Sequence, residues 1–268
     1  MAKKNTAPRN DKAAAARSQA QKSVQRQERR TLMGILIGVG VAVVVFGGIV
    51  FFIVQQSNVP TLESGDANAP AGADATGGIP VGTSGVVGED LPTDATRMDI
   101  YLDFMCPVCG TFEEINAEDI AEMREAGEIE LYYHPVSILD RASAGTQYST
   151  RSANAAATVA DAAPEAFVDF VDALFANQPT EGQTGLTDEQ IEQLAIDAGV
   201  PEDVAGTLDD GSFTKWVIAA TDQAQVDIVE QSNSFGTPTV MIDRTVLSQT
   251  EDVAYFQPGA LRAYVEAL

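Results

Sequence analysis

The chain has 268 residues, 45% of them hydrophobic, with a net charge of −23, one His and two Cys; that length holds one good-sized domain plus extensions, and the Cys/His count is too small for a closed structural zinc site. Charge is divided unevenly, nine Lys/Arg against two Asp/Glu in residues 1–31 and seven against 37 in the remainder. So acidic a body repels nucleic acid and anionic lipid, which argues against both as partners, and favours solubility.

Residues 1–31 are rich in Ala, Gln, Lys and Arg, cannot build a core, and read as a basic tail. Residues 32–54 contain no charged side chain, and a helix of about 20 such residues spans the hydrocarbon layer. A cleavable signal peptide has a shorter apolar region that ends at a small-residue site, not found after Val54, and no Cys follows for lipid attachment. Gly34 and Gly38 form a G-x-x-x-G pair in a Gly-rich span where chance matches are common. The basic flank predicts a cytoplasmic N-terminus and an extracytoplasmic body on a single-pass anchor. Residues 55–93, rich in Gly, Ala, Asp, Pro and Ser, read as a flexible linker reaching roughly 35 Å, which leaves 94–268 as the folded domain.

Within the domain, Met98 to Phe104 alternates as a strand with Ile100, Leu102 and Phe104 on one face. Cys106-Pro107-Val108-Cys109 follows, and Val108 to Ala126 reads as a helix that turns Phe112, Ile115, Ile120 and Met123 inward and ends by Gly127. Both thiols then lie on the first turn, close enough to join. Free N–H groups and the positive helix end favour the Cys106 thiolate, and Pro107 suits the first helical position. A structural disulfide closing so short a loop adds little stability, so redox chemistry is the expected role of the pair. Ile129 to Val136 reads as a second buried strand, giving a parallel βαβ unit.

From about 143 to 234 the pattern is helical. It includes an Ala-rich Thr150–Asp161, a Pro164–Ala176 segment, and a capping box at Thr187–Gln190. Pro201–Leu208 is a short helix, and Phe213–Gln231 a long one carrying Trp216, Val217, Val226 and Val229. Gly236-Thr237-Pro238-Thr239 then precedes the apolar strand Val240–Ile242, where a proline needs a special role such as a cis bond. Val246–Ser248 offers a partner strand, and Pro258–Leu268 a closing helix.

The Cys-Pro-Val-Cys motif after a strand, Phe112-Glu113-Glu114 in the next helix, the helical insert, and the distant Thr237-Pro238 together resemble the DsbA-like branch of the thioredoxin superfamily over nearly all of 95–268. Tyr132–Val136 and Tyr148–Arg151 further resemble its membrane-anchored actinobacterial members. The resemblance implies a thioredoxin-like α/β fold with a helical insertion, without a cofactor or metal. It also implies an exposed, attacking Cys106, a more buried, resolving Cys109, and backbone contacts from Thr237 and a cis Pro238 to an extended substrate. Glu113 matches an acidic position that assists proton movement in the family, a solvated helix charge being the other reading. His134 reads as a loop residue rather than a base, since a favoured thiolate needs none.

The function implied is an extracytoplasmic thiol–disulfide oxidoreductase. It would form disulfides in exported cysteine-containing proteins and be reoxidised by a membrane redox partner. A reductase or isomerase of the same fold and a non-catalytic binding module are the alternatives. One departure matters: strongly oxidising family members carry His where this chain has Val108, which predicts a less oxidising couple here.

Overall fold

The computed structural model describes residues 33, 45–48, 61–62, 67–247 and 253–268. Met1–Val59 and Pro60–Leu268 form separate units. In the first, only Met33 and residues 45–48 are described, all helical and exposed. The predicted tail lies outside the described residues, as does nearly all of the predicted membrane span. Among the described residues no helix is long and apolar enough to cross a membrane.

The second unit is built on a five-stranded sheet in the spatial order β1 (Ile79–Val81), β3 (Ile129–Pro135), β2 (Thr96–Leu102), β4 (Thr239–Ile242) and β5 (Thr245–Val246). Strand β2 (Thr96–Leu102) and strand β3 (Ile129–Pro135) pair in parallel, with Thr96 opposite Ile129 and Leu102 opposite Pro135. Helix α1 (Pro107–Glu125) makes the crossover between them. It begins at Pro107, whose missing N–H is unneeded there, and ends before Gly127 (φ 71), where the Glu128 N–H reaches back to the Met123 carbonyl. Strand β4 (Thr239–Ile242) runs antiparallel to β2, and β5 (Thr245–Val246) antiparallel to β4.

The predicted linker is corrected by the structure. Strand β1 (Ile79–Val81) pairs antiparallel to β3, and Ala67, Ile79, Val81 and Val87 are buried in the main core. Charge also fastens this segment. Asp74 accepts hydrogen bonds from Thr76, the Gly78 N–H and the Arg97 guanidinium, while Arg97 also binds Asp99. The three residues Ile79–Val81 cohere only by pairing with β3, so local composition said loop.

His134 is likewise not a loop residue. It lies in β3, is 2% exposed, and its Nε2 is 2.8 Å from Asp99 Oδ1, with its ring stacked on Tyr101. Burial alone would raise the Asp99 pKa, but the hydrogen bonds from His134 and Arg97 outweigh it and hold the carboxyl low. The network belongs to the sheet's packing.

Between β3 and β4 come α2 (Tyr148–Ala162), α3 (Phe167–Ala176), α4 (Asp188–Asp197), α5 (Glu202–Ala205) and α6 (Thr214–Ser232). Ala153, Ala155, Ala156, Ala157 and Ala160 keep α2 slim, so it can be enclosed among its neighbours. The Thr187–Gln190 capping box starts α4. On α6, Trp216, Val217, Ala220, Ala224 and Ile228 face inward, whereas Val226 and Val229 are exposed. A three-to-four residue spacing from Trp216 selects Ala220, Ala224 and Ile228 and turns those valines out. Helix α7 (Ala260–Val265) closes the unit against α1.

Candidate active site

The register of β4 against β2 assembles the site. Thr239 pairs with Tyr101, so the loop entering β4 lies where β2 leaves the sheet toward the cysteines. The Thr237–Pro238 bond is cis, Pro238 is buried, and the Cys106 sulfur lies 3.3 Å from the Thr237 carbonyl oxygen. Thus the sulfur pair and the proline, more than 100 positions apart, do meet.

Cys106 is the N-cap of α1 with extended backbone (φ −78, ψ 112), so the first-turn amides face its side chain. Both cysteines are free thiols. Cys106 keeps 6% of its surface and Cys109 none. Cys106 is therefore the more accessible of the two, but it is recessed beside Thr237 rather than exposed, while Val108 next to it is 47% exposed.

The two sulfurs are driven apart electrostatically. Cys106 is drawn down to about 6, chiefly by a hydrogen bond from the Cys109 thiol; burial opposes this, and the Thr237 side chain and the N–H groups of Cys109 and Val108 add to the lowering. Cys109 is pushed well up, first by burial and then by its bond to Cys106. The helix terminus named from sequence contributes through those two amides, but the partner thiol is the larger cause.

Two residues not singled out from the sequence shape the motif. Asp103, fully enclosed, accepts from the Met105 N–H at 2.8 Å and the Leu139 N–H at 3.0 Å. Its carboxyl rises to about 6, mainly through burial, with the Cys106 charge adding. The bond to Met105 spans two residues, a turn that Asp favours before a helix, so a local signal existed. Gln178, just beyond α3, donates to the Phe104 carbonyl at 3.0 Å and the Cys106 carbonyl at 2.8 Å. Nothing local in the sequence marks a contact across some 70 residues.

Glu113 is not a solvated charge. It is 5% exposed, its carboxylate oxygens have no hydrogen-bond partner, and burial followed by Asp172 pushes it up to about 8. The carboxylate that is electrostatically coupled to Cys106 is Asp103.

A family model described as thioredoxin matches residues 83–258. Among solved structures, the reduced form of the disulfide bond oxidoreductase DsbG from Mycobacterium tuberculosis is 28% identical, with a TM-score of 0.57, covering 73% of this chain and 88% of that one. Reduced DsbA from the same organism is 28% identical, with a TM-score of 0.52 and coverages of 64% and 85%. MdbA from Actinomyces oris, a thiol-disulfide oxidoreductase, shares the fold at 22% identity and a TM-score of 0.59, covering 79% and 98%. A stretch of 121 residues, 44% of this chain, is 31% identical to the serine/threonine-protein kinase PknE of M. tuberculosis, and it spans only 21% of that protein's length.

Proposed function

The chain belongs to the thioredoxin family, and from that premise we propose that it is a thiol–disulfide oxidoreductase whose attacking sulfur is Cys106 and whose resolving sulfur is Cys109. In its disulfide form, a substrate thiolate attacks Cys106. A substrate–Cys106 bond forms, the Cys106–Cys109 bond breaks, and the electron pair leaves on Cys109, which takes up a proton. A second substrate thiolate then attacks the substrate sulfur of the mixed disulfide. The substrate leaves oxidised by two electrons, and the protein is left as a dithiol.

The observation that carries this reading is the division of the two sulfurs, Cys106 low and partly accessible, Cys109 high and enclosed. A low Cys106 pKa makes it the better leaving group and stabilises the dithiol form, which favours giving the disulfide away. Thr237 and Pro238, beside the sulfur, offer backbone to an extended substrate segment once the Cys106 thiol no longer occupies the Thr237 carbonyl. Val108 supplies no imidazole, so the couple is less oxidising than that of His-bearing relatives.

Residues 32–54 anchor the protein and place its acidic body outside the cytoplasm, where disulfides persist. Its substrates are exported cysteine-containing proteins, and a membrane redox partner reoxidises it. The test uses the oxidised full chain and a peptide with two cysteines. Stoichiometric peptide disulfide is expected, Cys106→Ala giving none; reduced Cys109→Ala, offered the same peptide as its disulfide, attacks it with Cys106, releases one peptide thiolate and is trapped as the mixed disulfide. An oxidised chain that leaves the peptide as a dithiol, or trapping by Cys106→Ala instead, refutes the assignment.

A further inference from the structure

Beside the motif lies a group to which the bond-exchange steps above give no part. Helices α1 and α3 flank an open cavity of about 540 Å³ lined by Pro107, Gly110, Glu113, Asp172, Phe175 and Gln178. Glu113 is 95% buried, and neither of its carboxylate oxygens is hydrogen-bonded. A buried carboxyl without a partner is costly, because nothing offsets its lost hydration. Its surroundings do not help. Asp172 from α3 adds negative charge, and Tyr133 from β3 is a phenol held neutral by burial and by Glu113 itself. Arg124, on the same helix, is committed to the Gly82 and Thr83 carbonyls. Among the described residues no cation offsets Glu113 and Asp172.

We propose that this cavity is a subsite for a Lys or Arg side chain of the polypeptide that exchanges with Cys106, its cationic head held between Glu113 and Asp172. The inference rests on the exchange reading above. Pro107 and Gly110, on the first turn after Cys106, line the cavity, so a segment tethered to that sulfur passes its mouth. Pro107, Phe175 and Ala176 supply apolar wall for a methylene stem, which suits a long cationic side chain better than a bare ion. No group of three metal-ligating side chains occurs among the described residues. Glu113, raised to about 8, releases its proton when the cation enters, so the subsite strengthens as pH rises.

The test uses the full chain with Cys109→Ala, which stops exchange at the mixed disulfide. Two peptides differ only at one position beside a single Cys, Lys or norleucine, and each is activated as its thionitrobenzoate disulfide. The Cys106 thiolate attacks the peptide sulfur. A Cys106–peptide bond forms, the peptide–thionitrobenzoate bond breaks, and the electron pair leaves on the coloured thionitrobenzoate anion. The readout is the ratio of rate constants, Lys over norleucine, within one variant, so a general change in Cys106 reactivity cancels. Salt at about 0.3 M screens the overall acidity of the body.

The expected ratio is about ten near pH 9, where Lys is still charged, and about two or less near pH 6. Glu113→Gln brings it close to one at both pH values, Asp172→Asn, on the exposed rim, lowers it in part, and Glu118→Gln, exposed elsewhere on α1, leaves it intact. A ratio near one in the parent at high pH, with both peptides reacting, overturns the subsite but not the exchange. A ratio that survives Glu113→Gln also overturns it, assigning the preference to diffuse charge. Failure of both peptides to release thionitrobenzoate refutes the exchange reading, and the subsite falls with it.

Discussion

Removing the charge of Glu113 should stabilise the protein, and only on the alkaline side. Burial and Asp172 raise this carboxyl from 4.5 to about 8. Between those values the native protein keeps a proton that the unfolded chain has lost, so the native state binds more protons and stability falls as pH rises through the window. At 1.36 kcal/mol per unit the whole shift amounts to about 5 kcal/mol, a large share of a domain's ~5–15 kcal/mol. Glu113→Gln has no such proton to lose. The two proteins should therefore be nearly equal near pH 4.5, and the variant more stable by several kcal/mol at and above pH 8, on the order of the same shift. Asp103, also raised, titrates in both proteins and cancels from the difference. Asp172, raised by burial and Asp169 rather than by Glu113, likewise titrates in both proteins and cancels. Urea unfolding of the reduced full chain, followed by fluorescence of Trp216, the sole and fully buried tryptophan, reports the difference at each pH. Parallel stability curves for the two proteins from pH 5 to 9 would refute the buried, unpartnered state of Glu113.

Ultraviolet titration of the reduced protein should place the Cys106 thiolate midpoint near 6, and Cys109→Ala should move it upward by removing the largest cause of the lowering; an unmoved midpoint assigns the effect to the helix amides alone. Gly110 has a different sensitivity, because an added Cβ would come within 2.5 Å of Gln178 Oε1. Gly110→Ala should cost about 1 kcal/mol, the two Gln178 hydrogen bonds outweighing the helix propensity gained. In a Gln178→Ala background the same change should stabilise by up to about 1 kcal/mol, and urea unfolding that shows equal effects in both backgrounds rules out the coupling.

How far the sequence discloses this molecule depends on whether each feature is local. Strands β2 and β3 and helices α1 and α4 carry their own periods and end signals, and they form where those signals fall. The meeting of Cys106 with Thr237 follows from a family resemblance rather than from spacing, since no local rule pairs residues so far apart. Strand β1 went unread because Ile79–Val81 is too short to show a period, and its fastening residue, Asp74, finds Arg97 only in the folded sheet. Glu113 is the instructive case. Cys109, Phe112, Asn116, Ile120 and Met123 mark the buried face of α1, and Glu113 lies on its edge, three residues before Asn116 and four after Cys109. The helical period therefore places it against the core, whereas its residue type argues for water. When period and type disagree, the fold must supply either a partner or a cost. Arg97 and His134 supply the partner for Asp99, so that acid is held ionised within the sheet. Glu113 has none among the described residues, and a cavity opens beside it at the first turn after Cys106. Two buried acids in one domain thus differ in kind: the first is closed by its own chain, and the second is left open where another chain arrives.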